Sequence, residues 1–417
     1  MKNKKIETKD TLEGNAQPLS FYGLGIAPKI IEKIGQLGFK NATPIQHKAI
    51  PIALEDKDFI GIAQTGTGKT MAFAIPTVQN LAKNNLSALI LVPTRELAFQ
   101  VEESVAKIAR PFNMKTVVLI GGAPIHTQIR ALQQHPRIFI ATPGRLIDLM
   151  QQRKIHLDKV GILVLDEADR MLDMGFAPQI EKILKVVTGK RQTMLFSATM
   201  PSTIVRIATS YMKFPVQVEI APPGTSAEDV SHELFIVRRE KKIEVLGKIL
   251  KQYRGSVLLF CRTKIGTKKA ARAVRALGHR AAEIHSDRSL SQRREALEGF
   301  RKGRYRILAA TDIASRGIDV VGIELVVNYD LPEDTENYVH RIGRTGRAGM
   351  AGHAISLATP DQRQGVKDIE RLLKATIPLS VDEGSSLEKF DKPQTVFSSR
   401  SSGRGQRRTY SSNRRRR

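Results

Sequence analysis

Phe59-Ile60-Gly61-Ile62-Ala63-Gln64-Thr65-Gly66-Thr67-Gly68-Lys69-Thr70 is the stretch that decides the fold. An apolar run, Phe59 to Ala63, breaks into a glycine-rich turn, and a helical pattern begins at Lys69. Strand, turn and helix in that order make a phosphate cradle. The glycines let backbone N–H groups approach phosphate, and the helix N-terminus favours negative charge. Lys69 reaches the β and γ phosphates, and Thr70 offers a hydroxyl to Mg²⁺. Thr65, Gly66, Thr67 and Gly68 form the loop between them. The general pattern wants glycine where Ala63 stands, so a chance glycine-rich turn is the alternative.

Working outward, short apolar runs alternate with helical periodicity from Asp58 to Ile220. The strand candidates are Phe59–Ala63, Ala88–Val92, Thr116–Ile120, Arg137–Ile140, Gly161–Leu165 and Thr193–Phe196. Near-continuous apolar runs separated by helices indicate a parallel sheet covered on both faces. A second series follows at Val257–Phe260, Ala281–Ile284, Arg306–Ala310, Leu325–Val327 and Ala354–Leu357. Between the series, Ala221-Pro222-Pro223-Gly224-Thr225-Ser226 breaks both periods and reads as a flexible linker. The expected fold class is therefore α/β, with two tandem domains, each a parallel sheet covered by helices. The expected boundaries are an N-terminal extension at 1–20, domains at 21–220 and 229–380, a linker at 221–228, and a basic tail at 381–417 that cannot bury enough apolar surface to fold.

The chain has 417 residues, which suits two domains. It carries 67 Lys and Arg against 41 Asp and Glu, a net +26. Residues 393–417 hold eight Arg and no acid, so the remainder still carries 59 basic and 41 acidic groups, or +18. A surplus that size on a folded body points to a polyanionic partner, because each neutralised phosphate releases counterions. Solubility alone, or an anionic membrane surface, is the alternative, and no amphipathic basic helix with aromatic anchors is visible to favour the membrane. No apolar stretch approaches the roughly 20 residues of a membrane span. Met1 to Asp10 mixes Lys and Glu with no apolar block, so no signal peptide is expected and the cytoplasm is the expected location. Cys261 stands alone, which excludes an internal disulfide and a cysteine-based zinc cluster.

At the end of the Gly161–Leu165 run stand Asp166, Glu167, Ala168 and Asp169. In an open parallel sheet ligands bind beyond the carboxyl ends of the strands, which puts these carboxylates beside the cradle. Asp166 can hold Mg²⁺ while Glu167 orients the attacking water. An acidic turn capping a helix is the alternative. With these motifs in order, the chain resembles the DEAD-box RNA helicases over roughly Phe21 to Pro360, and within them the compact bacterial RhlE-like branch.

The resemblance implies two RecA-like domains, RNA-stimulated ATP hydrolysis, and ATP and Mg²⁺ as cofactors. It implies that Gln46, in Gly38-Phe39-Lys40-Asn41-Ala42-Thr43-Pro44-Ile45-Gln46, reads the adenine edge and that Phe21 stacks on the base. Ser197-Ala198-Thr199 resembles the motif that couples hydrolysis to strand separation, with hydroxyls directed at Asp169. His340-Arg341-Ile342-Gly343-Arg344-Thr345-Gly346-Arg347 resembles the arginine-finger motif, with Arg344 and Arg347 as fingers and His340 as a coupling residue. Arg95, Gly121, Gly122, Thr142, Gly144 and Arg145 fall in segments implied to touch RNA. In Ala310 to Asp319, Thr311 and Arg316 would face RNA and Asp319 the nucleotide. Arg293 belongs to a further RNA-contacting motif, whose usual Gln is replaced here by Leu290; Ser286 likewise stands where glycine is common.

The implied partner is RNA, single-stranded or a short duplex, bound without sequence reading. Ribosomal or decay-machinery proteins are candidate partners, no membrane is involved, and a monomer is expected. The expected mechanism is closure: ATP sits in the first domain, RNA lies across both, and the second domain completes the site. An ATP-gated RNA clamp with little unwinding uses the same residues and is the alternative.

Overall fold

Each of the apolar runs is a strand in the computed structural model, which describes residues 19–64, 66–187, 189–220, 230–312, 320, 322–346 and 352–380. The first sheet contains β1 (Phe59–Ile62), β2 (Ser87–Leu91), β3 (Thr116–Leu119), β4 (Ile138–Ala141), β5 (Val160–Leu165), β6 (Gln192–Ser197) and β7 (Val216–Glu219). Their spatial order is β3-β4-β2-β5-β6-β1-β7, and every pairing is parallel. The second sheet contains β8 (Val230–Ile236), β9 (Val257–Phe260), β10 (Ala281–Ile284), β11 (Ile307–Ala310), β12 (Leu325–Asn328) and β13 (Gly352–Ala358). Its order is β10-β11-β9-β12-β13-β8, again parallel.

The sheets are buried on both faces because side chains alternate along each strand. In β5, Ile162 and Val164 join one core cluster while Val160, Leu163 and Leu165 join the other. In β9, Val257 and Leu259 point one way and Leu258 and Phe260 the other. Each such side chain, fully enclosed, contributes about 1.5–3 kcal/mol, so an ionic residue at Val164 would break the lobe. Helices start where their sequences supply caps. The Thr94 hydroxyl accepts from Leu97 N–H at 3.2 Å, and Thr263 accepts from Gly266 N–H at 3.0 Å.

Two strands were not expected from sequence, β7 and β8, and both lie at sheet edges. β7 buries only Val218 of its four residues, so it lacks the apolar run that marks the inner strands. The expected linker (221–228), most of the N-terminal extension and the 381–417 tail lie outside the described residues, as do Thr65, Arg316, Asp319 and Arg347. No described helix is long and apolar enough to cross a membrane.

The strand order divides the carboxyl-end rim of the first sheet. Loops after β1, β5 and β6 occupy one half and loops after β2, β3 and β4 the other. The second lobe faces this rim.

Candidate active site at the lobe junction

The chain leaves β1 and turns through Gly66 (φ 89°) and Gly68 (φ 92°) into helix Lys69–Ala82. Gly68 is required twice over. Its φ is left-handed, and a Cβ there would lie 2.4 Å from the Gln46 amide nitrogen. Gln46 donates that nitrogen to Gly68 O at 2.9 Å and accepts from Thr43 N–H at 3.0 Å, so it ties helix Pro44–Leu54 to the cradle. An amide has a second proton and a second lone pair, so adenine reading by Gln46 is compatible with both bonds. The Lys69 ammonium is 6% exposed and donates to Ala63 O at 3.0 Å. A buried cation at a helix N-terminus beside left-handed glycines fits a polyphosphate. Thr70 is half-buried in the first turn of the same helix.

Asp166, Glu167 and Asp169 follow β5 and are all buried. Glu167 holds φ 52°, a left-handed conformation that costs a β-carbon residue about 1 kcal/mol and is found at sites that need it. Burial, with the Glu167 charge adding to it, pushes the Asp166 carboxyl up to about 7 against the pull of Lys69. Desolvation is thus what keeps Asp166 from its ordinary charged form. A hard divalent cation there would favour the ionised form, and the oxygens of Asp166 and Thr70 are donors of the type that suits Mg²⁺. Burial also pushes Glu167 up, but Arg170, Lys69 and Arg344 hold it below the usual carboxylate range. Arg170 pairs with Glu167 at 2.9 Å, both 3% exposed.

Asp169 joins this group to the end of β6. Its Oδ2 accepts from Ala198 N–H at 2.9 Å, Thr199 N–H at 3.0 Å and the Thr199 hydroxyl at 3.2 Å. Its own N–H donates to the Ser197 hydroxyl at 3.3 Å. Burial opposes its charge, but Lys69, Arg170 and the Arg170 backbone N–H, which donates to Asp169 Oδ1 at 2.9 Å, outweigh it, and His340 adds to them.

His340 and Arg344 belong to the second lobe, on and just after helix Thr335–Ile342. Arg344 is 3% exposed and its charge is among those that lower Glu167, so the second lobe delivers a guanidinium to the first lobe's acidic group. Arg341 aims this segment. It is 1% exposed, grips Asp312 with two nitrogens at 2.5 and 2.7 Å, donates to Asn328 Oδ1 at 3.1 Å and stacks on Phe260 at 5.0 Å.

On the other half of the rim the loops after β2, β3 and β4 meet. The Arg95 guanidinium lies over Gly121 and Gly122; a Cβ on Gly122 (φ 72°) would come 2.0 Å from it. Arg145 donates to Ala123 O at 3.1 and 3.2 Å, and Thr142 and Gly144 begin the same helix, Pro143–Gln151, as cap and second residue. These expected RNA residues therefore form one surface. Thr311 lies half-buried after β11, its N–H directed at Ile284 O at 3.3 Å.

Two of the expected residues are engaged within the protein in this arrangement. Arg293, expected to touch RNA, pairs across the lobe junction with Glu96 at 3.0 Å, the two side chains 11% and 5% exposed. A buried guanidinium needs a counter-charge, and Glu96 is the one supplied. Beside the pair, Leu290 packs against the first lobe's core and Arg294 lies over Phe99 at 5.5 Å. Gln292 does not replace the missing Gln of that motif, because it closes a capping box with Ser289. Phe21, expected to stack on adenine, is 3% exposed within the core cluster and offers no open ring face in this arrangement. Arg170, Glu96, Arg341 and Asp312 were not singled out from sequence. The signal was there in part, since Arg170 directly follows the acidic motif and Glu96 follows Arg95.

Comparison with known proteins agrees with this geometry. Residues 43–207 match the DEAD/DEAH box helicase family and residues 241–349 the helicase conserved C-terminal domain. The chain is 43% identical over 357 residues to the ATP-dependent RNA helicase CshA of Listeria monocytogenes, covering 85% of this chain and 69% of that one. It is similar to Mss116p bound to ssRNA and AMP-PNP at 28% identity and a TM-score of 0.80, covering 89% and 82% of the two chains. A DEAD box protein from Methanococcus jannaschii is more alike in sequence, at 38%, with 87% and 99% covered, yet gives a TM-score of 0.52. The chain thus superposes better on the structure that holds ssRNA and AMP-PNP than on the one nearer to it in sequence. By sequence, architecture and site, the chain belongs to the DEAD-box ATP-dependent RNA helicases.

Proposed function

We propose that the chain couples ATP hydrolysis to local separation of short RNA duplexes, or to remodelling of RNA–protein complexes, through closure of its two lobes. The observation that carries this is the buried Arg344, which crosses the junction to act on Glu167. In this reading the cradle, Lys69 and Gln46 hold ATP, while Asp166 and Thr70 hold Mg²⁺. The metal, when bound, neutralises charge on the β and γ phosphates. Glu167 orients the attacking water, Arg344 stabilises charge developing on the γ phosphate, and Arg347 is proposed as its companion. Asp169 passes the state of the phosphate site to the Ser197–Thr199 segment through the bonds described. Arg95, Gly121, Gly122, Thr142, Gly144 and Arg145 hold the RNA backbone, with Thr311 and Arg316 opposite them in the second lobe. Asp319 is proposed to face the nucleotide.

A clamp reading has one observation in its favour. Leu290 packs against the first lobe's core where the family motif usually has Gln, and apolar packing across the junction would favour a long-lived closed state. Strand displacement per ATP on a short duplex, measured beside the lifetime on single-stranded RNA, separates the two. A helicase separates duplexes within a few hydrolysis events; a clamp stays bound for many turnovers and separates few. As finer assignments we propose the RhlE-like branch, on motif resemblance, and a cytoplasmic monomer. A tree containing both RhlE and CshA sequences tests the first, and light scattering the oligomeric state.

A further inference from the structure

The end of the first sheet opposite the RNA rim carries a groove that the helicase reaction does not use. We propose that this groove docks an acidic peptide segment of another protein, one with aliphatic or aromatic anchors among its carboxylates. β2, β3 and β4 are only four or five residues long, so the two ends of the sheet lie about 13–17 Å apart. At the amino end a cleft of 890 Å³ opens beneath β2 and β4, and past Pro136 it meets a second hollow of 680 Å³.

The floor is apolar: Leu86, Ile129, Leu132, Phe139 and Ile155 line it, and Leu86 is 37% exposed. The rim is cationic. Arg153, Lys154 and Lys159 edge the cleft, Arg110 and Lys115 the hollow beside it, and all five are exposed. Asp158 is the one acid in either lining. Among the described residues none of the five cations has an ion-pair partner. Other exposed cations do, such as Lys107 with Glu103 and Arg206 with Glu181. Backbone strain gathers at the same place. Asn113, His135 and Arg153 each end a helix in the left-handed region, at φ 56°, 50° and 53°. Glycine takes that conformation without cost and Asn with little, whereas His and Arg hold it against a steric penalty. Keeping the Arg153 side chain there despite that penalty is consistent with a rim that has a binding role.

The occupant must be acidic, which excludes the chain's own residues 393–417, with eight Arg and no acid, and a second copy, which brings a net +26. Residues 381–392 of the chain, with four acids beside Leu387 and Phe390, are the competing occupant. RNA shares the required charge and the rim cations can meet its phosphates, but a polyanion leaves the apolar floor around Leu86, Ile129 and Leu132 uncovered, whereas apolar side chains fill it. Leucine or phenylalanine side chains on an acidic segment fit it, with carboxylates meeting the rim.

The test uses the full chain and a fluorescein-labelled peptide of about twelve residues, of Asp and Glu interspersed with Leu and Phe, followed by anisotropy. The expected result is saturable binding that falls about tenfold in Lys154→Glu/Lys159→Glu and in Leu86→Ser, with RNA-stimulated ATPase unchanged. An all-Glu peptide of equal length should bind about tenfold more weakly. Arg153→Gly should weaken peptide binding while leaving Tm equal or higher. Absence of saturable binding overturns the proposal, as does a rise in peptide affinity in Leu387→Ser/Phe390→Ser, which assigns the groove to residues 381–392 of the chain itself. So does binding unaffected by the variants, which would mean that the cations only complement helix ends. Equal affinity for the all-Glu peptide, or variants that lose RNA affinity instead, also overturn it.

Discussion

Glu96→Gln removes one charge from the junction and leaves Arg293 facing an amide. In the closed arrangement the guanidinium is 11% exposed, and burial already pulls its pKa down while Glu96 supports it. In an opened molecule water would solvate Arg293, so the loss falls on closure alone. Breaking a fully buried pair costs about 3–5 kcal/mol, and a pair with residual exposure less; about 2 kcal/mol is a fair figure here. That corresponds to about a 30-fold fall in the closure constant. The assay is RNA-stimulated ATPase as a function of RNA concentration. The RNA needed for half-maximal rate should rise by up to that factor, with ATP binding in the absence of RNA unchanged. Arg293→Leu should behave alike, and the double variant no worse than either single, because it leaves no buried charge unpaired. Additive losses, or a Glu96→Gln protein with wild-type RNA dependence, would refute the pairing and return Arg293 to direct RNA contact.

Three further outcomes follow from the geometry. Ser197→Ala strips the Asp169 N–H of its buried acceptor, a loss of about 1–3 kcal/mol; ATPase should persist while displacement of a labelled strand falls, and parallel losses would contradict a coupling role. Gly122→Ala drives a Cβ into the Arg95 guanidinium and strains a left-handed residue; RNA affinity by filter binding should drop with nucleotide affinity intact. His285 is fully buried, 3.6 Å from Glu283 and so beyond hydrogen-bond reach, and burial pushes it below its ordinary 6.5 despite Glu283, with Lys268 and Arg288 adding to the shift. The folded form therefore favours neutral imidazole. The associated stability is present above pH 6.5 and is lost as pH falls below it. Tm should drop on acidification through that window, and His285→Leu should flatten the drop; an unchanged slope would dismiss the residue.

What sequence reveals here follows from how local the physics is. The inner strands are covered on both faces, so β5 and β9 announce themselves as unbroken apolar runs. β7 is covered by neighbours on one side only and its polar residues hide it. The cradle and the acidic motif are legible because strand, turn and helix fix their geometry within a few residues. The Arg293–Glu96 pair is not, since its partners belong to different lobes and stand almost 200 positions apart in the chain. Arg170 illustrates a middle case: its partner Glu167 is three residues away in sequence, but the need for a counter-charge appears only once burial is known. The same holds for Phe21, whose position ahead of the Gln46 motif is visible while its enclosure is not.

Single-turnover ATP cleavage by Arg344→Ala at saturating RNA tests most directly whether the second lobe completes the first lobe's site. The expected rate is lower by about 10³- to 10⁵-fold, with ATP affinity little changed. A rate near that of the unaltered protein would mean that Glu167 and its neighbours act without help across the junction.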